Sequence, residues 1–446
     1  EIHHQESQKM NKAIKVSLYI SFVLIICALS KNIMMLNTSD FGRAIKPLIE
    51  DIPAFTYDLP LLYKLKGHID SIDSYEYISS YSYILYTYVL FISIFTEYLD
   101  ARVLSLFLKV IYIYSLYAIF TSYIKTERYV TLFTFFILAF LMCSSSTLSM
   151  FASFYQEQIV IIFLPFLVYS LTCKNNKSML LLFFSLLIIS TAKNQFILTP
   201  LIVYSYYIFF DRHKLIIKSV ICVVCLLASI FAISYSKGVV ELNKYHATYF
   251  GSYLYMKNNG YKMPSYVDDK CVGLDAWGNK FDISFGATPT EVGTECFESH
   301  KDETFSNALF LLVSKPSTIF KLPFDDGVMS QYKENYFHVY KKLHVIYGES
   351  NILTTITNIK DNIFKNIRFI SLLLFFIASI FIRNNKIKAS LFVVSLFGIS
   401  QFYVSFFGEG YRDLSKHLFG MYFSFDLCLY ITVVFLIYKI IQRNQD

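Results

Sequence analysis

Charge is what this sequence has least of: only 16% of its 446 residues are Asp, Glu, Lys or Arg, against about 25% in soluble chains. Tryptophan occurs once, at Trp277. There is no Gly-rich phosphate loop, no Gly-x-Ser-x-Gly elbow and no His-Glu-x-x-His. Nucleotide-driven chemistry, serine hydrolysis and zinc hydrolysis therefore lack the motifs that normally carry them. No internal repeat or low-complexity linker is present. The formal charge of +7 sits mostly in short loops, which argues for membrane topology and against nucleic-acid binding.

What is abundant is apolar surface. Hydrophobic residues make up 55% of the chain, with 44 Phe and 36 Tyr. Phe suits helix–lipid and helix–helix contacts, and Tyr suits the headgroup zone, where its ring is buried and its hydroxyl stays wet. The expected fold is an all-α polytopic membrane protein. Eleven apolar segments stand out, near 14–35, 78–97, 103–123, 129–145, 158–172, 178–192, 196–210, 215–235, 367–382, 389–405 and 418–438. The first is too long for a cleavable signal and lacks a small-residue cleavage site. Met10-Asn11-Lys12 resembles a translation start, whether residues 1–9 are native or not.

Basic turns at Lys125/Arg128, Lys174/Lys177, Arg212/Lys214 and Arg383/Lys386/Lys388, and basic termini, belong on the cytoplasmic side. Connectors 98–101, 146–157 and 193–195 are poor in Lys and Arg and belong outside. Both termini inside require an even count. The Tyr-rich segment 78–97 is therefore expected to be an embedded, non-crossing helix, leaving about ten crossings; the alternative is that it crosses and one basic turn lies outside. The expected organisation is a cytoplasmic tail (1–13), a first transmembrane helix (14–35), a first periplasmic loop (36–102), six membrane helices (103–235), a mixed periplasmic domain (236–366), and three helices with a cytoplasmic end (367–446).

Of eight cysteines, six lie in or beside apolar segments and read as small buried hydrophobes. Cys271 and Cys296 lie in the polar segment, where an oxidising compartment predicts a disulfide. That segment is rich in Gly and Pro, with helical patterning over Asn307–Phe320 and Ile352–Phe364.

Four polar clusters fall at outer helix ends. Asp40 follows the first span and can be either a general base or a solvated flank charge, with Glu50, Asp51 and Asp58 as competitors. Tyr155-Gln156-Glu157 opens the 158–172 span, either as a hydroxyl-binding edge or as ordinary helix-start polarity. Lys193 sits in a very short outer turn, where it either meets a lipid phosphate or snorkels. Gly408-Glu409-Gly410-Tyr411-Arg412-Asp413 leads to Lys416 and His417. Arg412 and Lys416 lie four apart, so a helix starting there would put both on one face as a phosphate clamp; the bland reading is an interfacial charge network. Deeper in the membrane, Lys109 and Asp426 have matching depth and opposite sign, which predicts an interhelical pair. In the polar segment Tyr245 and His246 overhang the membrane. Trp277, between turn residues, either stacks on a sugar or anchors the domain core, the core being slightly favoured.

A first span ending in an acidic loop, then Arg102-Val103-Leu104-Ser105-Leu106, a basic turn, and Tyr155-Gln156-Glu157 at an outer helix end together resemble the GT-C superfamily of polyprenyl-phosphate-dependent glycosyltransferases. From Met10 onward, with 243–251 and 404–419 contributing, the chain resembles the serotype-specific glucosyltransferases of prophage seroconversion clusters. The resemblance implies a GT-C-like helical bundle that moves glucose from undecaprenyl-phosphate glucose to lipopolysaccharide O-antigen at the periplasmic face of the inner membrane. It implies functional partnership with a bactoprenol glucosyltransferase and a bactoprenol-glucose flippase. It points to Asp40 as the catalytic base and Glu157 as a second acidic position, and to Lys193, Arg412 and Lys416 as donor-phosphate ligands. Gln156, Tyr245, His246, Trp277 and His417 are the candidate acceptor or sugar contacts. No Asp-x-Asp or Asp-Glu pair stands at Asp40, so no cofactor is firmly implied and a divalent metal lacks support. A lipid-linked-sugar flippase and an O-antigen polymerase are the competing readings.

Overall fold

A computed structural model describes residues 11–444, except 36–38, 52–61, 76, 174–175, 236–239, 285, 335–336, 339–342, 345 and 348–351. The described chain is mostly helical, with four short antiparallel two-stranded ribbons. Among the described residues, five helices are long and apolar enough to cross a membrane: Lys12–Leu29, Ala101–Tyr123, Leu215–Ser234, Asn385–Glu409 and Phe419–Arg443. At 1.5 Å per residue they run roughly 27 to 37 Å, enough for a hydrocarbon core of about 30 Å.

Two bent pairs raise the count to seven. Tyr129–Leu141 continues into Ser145–Ala152 at 75°, and Ile352–Phe364 into Arg368–Phe381 at 76°. The break after Leu141 interrupts what the sequence presents as one span, because Ser144, Ser145 and Ser146 turn the backbone and bond to other elements. The helices Gln158–Thr172, Asn176–Ala192 and Thr199–Phe210 are shorter, at 15, 17 and 12 residues. Length and composition thus support five to seven spans, and the expected ten requires the shorter helices to cross with the help of their flanks.

Helix boundaries follow local chemistry. Asn11 accepts from the Ala13 N–H at 2.8 Å, Asp100 from Arg102 at 2.8 Å, and Asn384 from Lys386 at 3.0 Å, each satisfying an orphan donor of a helix start. Asn385–Glu409 is the central helix: two-thirds of its apolar window is buried, and it packs on Phe419–Arg443, Arg368–Phe381 and Gln158–Thr172. Leu215–Ser234 instead exposes Ile216, Val220, Leu227 and Phe231, an apolar face suited to lipid.

The Tyr-rich segment forms Ser80–Ile92, 13 residues and so about 20 Å long. Ser80 Oγ donates to the Ile188 carbonyl at 2.6 Å, and Tyr77 bonds Asn194 at 3.0 Å. After the helix, Tyr98–Asp100 pairs with Leu62–Lys64. The helix alone falls short of the membrane core.

The polar segment joins the bundle through a glycine contact. Asn385–Glu409 ends at Gly410, whose φ of +63° suits glycine. Gly251 lies against it: a Cβ on Gly251 would stand 2.8 Å from Gly410 Cα. That approach lets the Tyr411 N–H reach the Phe250 carbonyl at 3.0 Å. Cys271 and Cys296 are bonded, closing a loop across 25 residues. Helices Phe305–Ser314, Thr318–Lys321 and Ile352–Phe364 occupy the helical patterns seen in the sequence.

One expected pairing is replaced. Asp426 pairs with Lys360, not Lys109, and Lys109 Nζ donates to the Ser30 carbonyl at 3.3 Å. Matching depth misled because Lys360 enters from the bent Ile352–Phe364 helix, which composition places in the polar segment.

Candidate functional site

The starts of Gln158–Thr172 and Phe419–Arg443, the end of Asn385–Glu409 and the turn after Ala192 meet at the face of the bundle under the polar segment. Gln195 ties them together: its Nε2 donates to the His417 carbonyl at 2.6 Å and to Ser405 Oγ at 3.0 Å. Glu157 and Lys193, 36 residues apart, form an ion pair at 2.5 Å. The Glu157 carboxylate is almost fully buried. Lys416 lies 5.7 Å from the Tyr155 ring centroid. His417 Nε2 and Glu409 Oε2 stand 2.7 Å apart. Gln156 is half-buried beside this group. Glu157, Lys193, Lys416 and His417 are thus brought together from separate sequence positions.

Arg412 goes elsewhere. Asp413 adopts a left-handed φ of +45° and the next helix starts only at Leu414, so Arg412 and Lys416 do not share the helical face expected of them. Arg412 instead bonds Asp275 at 3.0 Å and lies 3.6 Å from Asp413. Its guanidinium covers Trp277 at 4.7 Å. Trp277 is 50% exposed, which corrects the core-anchor reading: a Trp in a tight turn is displayed rather than enclosed.

Tyr245 and His246 are buried, so they do not offer an open sugar-binding edge. His246 Nε2 accepts the Ala276 N–H at 3.0 Å, holding the Trp277 turn from behind. Burial, then the positive charge of Arg412, lower the His246 imidazole from 6.5 to about 4. Asp40 lies in the first turn of the short Ser39–Ile45 helix; its side chain, like Asp58, lies outside the described residues. Glu50 pairs with Lys64 at 2.9 Å.

A second cluster was not legible in advance. Glu334 accepts from Arg368 at 2.6 Å and Ser146 at 2.6 Å, and pairs with Lys360 at 2.9 Å. Arg368 also bonds Asp361 at 3.0 Å, and Lys360 bonds Asp426 and Ser144. Burial alone would raise the Glu334 carboxyl; Lys360 and Arg368 outweigh it and hold it below the usual carboxylate range. The cluster sits where the two bent helix pairs meet, so it fastens the polar segment at residue 334 to the membrane helices. The sequence signal was Arg368 at the edge of an apolar run, a placement that is costly without a partner.

One His/Cys/carboxylate grouping occurs among the described residues, Asp268, Cys271 and His300. Its sulfur is consumed by the disulfide, leaving at most two ligands, too few for a protein metal site.

A family model described as the YfdI N-terminal transmembrane domain matches residues 314–446. That stretch holds Glu334, Lys360, Arg368 and the Glu409–His417 cluster, but not Glu157, Lys193 or Trp277. No solved structure matches the chain. The protein is a multi-pass membrane protein whose final third is similar to the YfdI N-terminal transmembrane domain.

Proposed function

We propose that this protein is an inverting glycosyltransferase that moves glucose from undecaprenyl-phosphate glucose to lipopolysaccharide O-antigen at the periplasmic face of the inner membrane. The observation that carries the reading is the buried Glu157–Lys193 pair beside Lys416 and the His417–Glu409 pair, all at one end of apolar helices. The similarity of residues 314–446 to a transmembrane family domain supports it.

In this reading Lys193 and Lys416 hold the donor phosphate at headgroup depth. A lipid phosphate is already a good leaving group, so fixed cations suffice to stabilise its developing charge in a partly dry site. The acceptor hydroxyl oxygen attacks the anomeric carbon as the carbon–oxygen bond to phosphate breaks, and a carboxylate takes the hydroxyl proton. Asp40 is the proposed base, with Glu157 the second candidate. The donor comes from a bactoprenol glucosyltransferase by way of a bactoprenol-glucose flippase.

The product's anomeric configuration, read by NMR, tests the mechanism. Inversion relative to the donor is expected, and retention would contradict direct displacement. The competing reading, a lipid-linked-sugar flippase, draws on the Glu334–Lys360–Asp426 network at two helix breaks, the kind of place where transporters bind coupling ions. Donor redistribution between vesicle leaflets without any glycan product would favour it.

A further inference from the structure

Asp275 is fully buried, and its carboxylate accepts from the Trp277 N–H at 2.9 Å, the Asn279 N–H at 2.9 Å, Asn279 Nδ2 at 3.2 and 3.3 Å on its two oxygens, and Arg412 Nη1 at 3.0 Å. One carboxylate therefore shapes the 275–279 turn and anchors the guanidinium beneath it. Gly278, at φ +77°, lets the turn close against Gly293, whose carbonyl would lie 2.4 Å from any Cβ there. His246 supports the turn through Ala276, and its ring lies 5.3 Å from the indole. The result is a rigid aromatic ring, half open to solvent, with its position set by buried polar groups.

We infer that Trp277, backed by Arg412 and held by Asp275, is a saccharide subsite that takes a neutral pyranose ring of the acceptor glycan. Indole presents a large apolar surface at low conformational cost, and a pyranose presents a C–H face to it. Because the platform is built before the ligand arrives, little ordering is left to do on binding. The charge balance argues against a phosphate. The Arg412 cation already faces Asp275 at 3.0 Å and Asp413 at 3.6 Å, and these carboxylates disfavour an arriving phosphate anion, including the singly charged phosphodiester of a lipid-linked sugar. Arg412 accordingly serves the saccharide platform rather than the donor phosphate. The identity of the glycan rests on the glycosyl-transfer reading; the subsite does not.

Trp277 is the only tryptophan in the chain, so indole emission reports this site alone. The full chain in detergent micelles, which contribute no indole, is titrated with O-polysaccharide freed of lipid A by mild acid, and separately with glycerol and with inorganic phosphate. A saturable emission change with polysaccharide only is expected. Asp275→Asn should shift the emission and weaken polysaccharide binding about tenfold, as loss of a charge-assisted bond would. Trp277→Phe, at a half-exposed position, should raise the acceptor KM more than it lowers kcat, with thermal unfolding of the variant matching wild type. Silence with polysaccharide, together with an unchanged KM for Trp277→Phe, overturns the subsite, as does a saturable response to phosphate instead. A saturable polysaccharide response in a protein that transfers no glucose leaves the subsite standing and removes the proposed reaction.

Discussion

Arg368 offers the sharpest test of how the polar segment is fastened. Its side chain is fully buried, with one arm on Glu334 at 2.6 Å, the other on Asp361 at 3.0 Å, and its plane 5.0 Å from the Tyr422 ring centroid. Arg368→Met removes the guanidinium from Glu334 and Asp361 at once and leaves Lys360 as the cation facing Glu334 and Asp426. Breaking a buried ion pair by removing one partner costs about 3–5 kcal/mol, a large share of the roughly 5–15 kcal/mol that holds a domain folded. Arg368→Lys keeps the charge but cannot fork to two carboxylates, so it should fall between wild type and Met. Adding Glu334→Gln to Arg368→Met removes one stranded anion and should recover part of the loss. The assay is the fraction of detergent-solubilised protein that stays monodisperse after stepped heating. A Met variant as heat-stable as wild type, or a double variant showing the plain sum of the two single losses, would refute the network as a fastening.

Lys193→Met should lower the glucose transfer rate at least about a hundredfold, the scale of removing one fixed donor from a developing oxyanion, while Lys193→Arg keeps part of it; initial rates with synthetic donor decide this. Lowering the pH should destabilise the polar segment between pH 6.5 and 4 through His246. Above 6.5 the imidazole is neutral folded and unfolded. As pH falls, the unfolded chain takes a proton that the buried ring refuses, costing up to about 3 kcal/mol. Hydrogen exchange at residues 275–279 reads the loss, and His246→Gln should flatten that pH slope. Gly251→Ala forces a Cβ to 2.8 Å from Gly410 Cα, so backbone must move at a cost of about 1–3 kcal/mol. Limited proteolysis of the polar segment should accelerate, and an unchanged cleavage rate would show that the glycine contact is dispensable.

The helical membrane class was legible because apolar runs and basic turns follow from the bilayer itself. The Cys271–Cys296 bond was legible because these two cysteines alone stand in polar sequence. Crossing number was less so: Ser144–Ser146 and the 364–368 corner bend their helices, and hydropathy does not register a bend. At the site, Glu157, Lys193, Lys416 and His417 could each be picked out as polar residues at helix ends. Their meeting could not, since Gln195 and Ser405 arrange it through bonds between distant segments. That Arg412 and Lys416 share no helical face was not legible, because spacing of four implies one only inside a helix and Asp413 is not helical, whereas the alternative of a charge network with Asp413 matches the 3.6 Å contact. Asp275, Lys360 and Arg368 escaped notice for a related reason: their partners lie 137, 66 and 34 residues away.

The central claim is glucosyl transfer at the cluster around Glu157 and Lys193. Purified protein in nanodiscs, given polyprenyl-phosphate glucose labelled in the sugar and an O-antigen acceptor, measures it directly. Label should appear in the glycan with wild type and fall to background with Lys193→Met folded to the same extent. Label that stays on the lipid with wild type, or reaches the glycan equally well with Lys193→Met, would contradict the account.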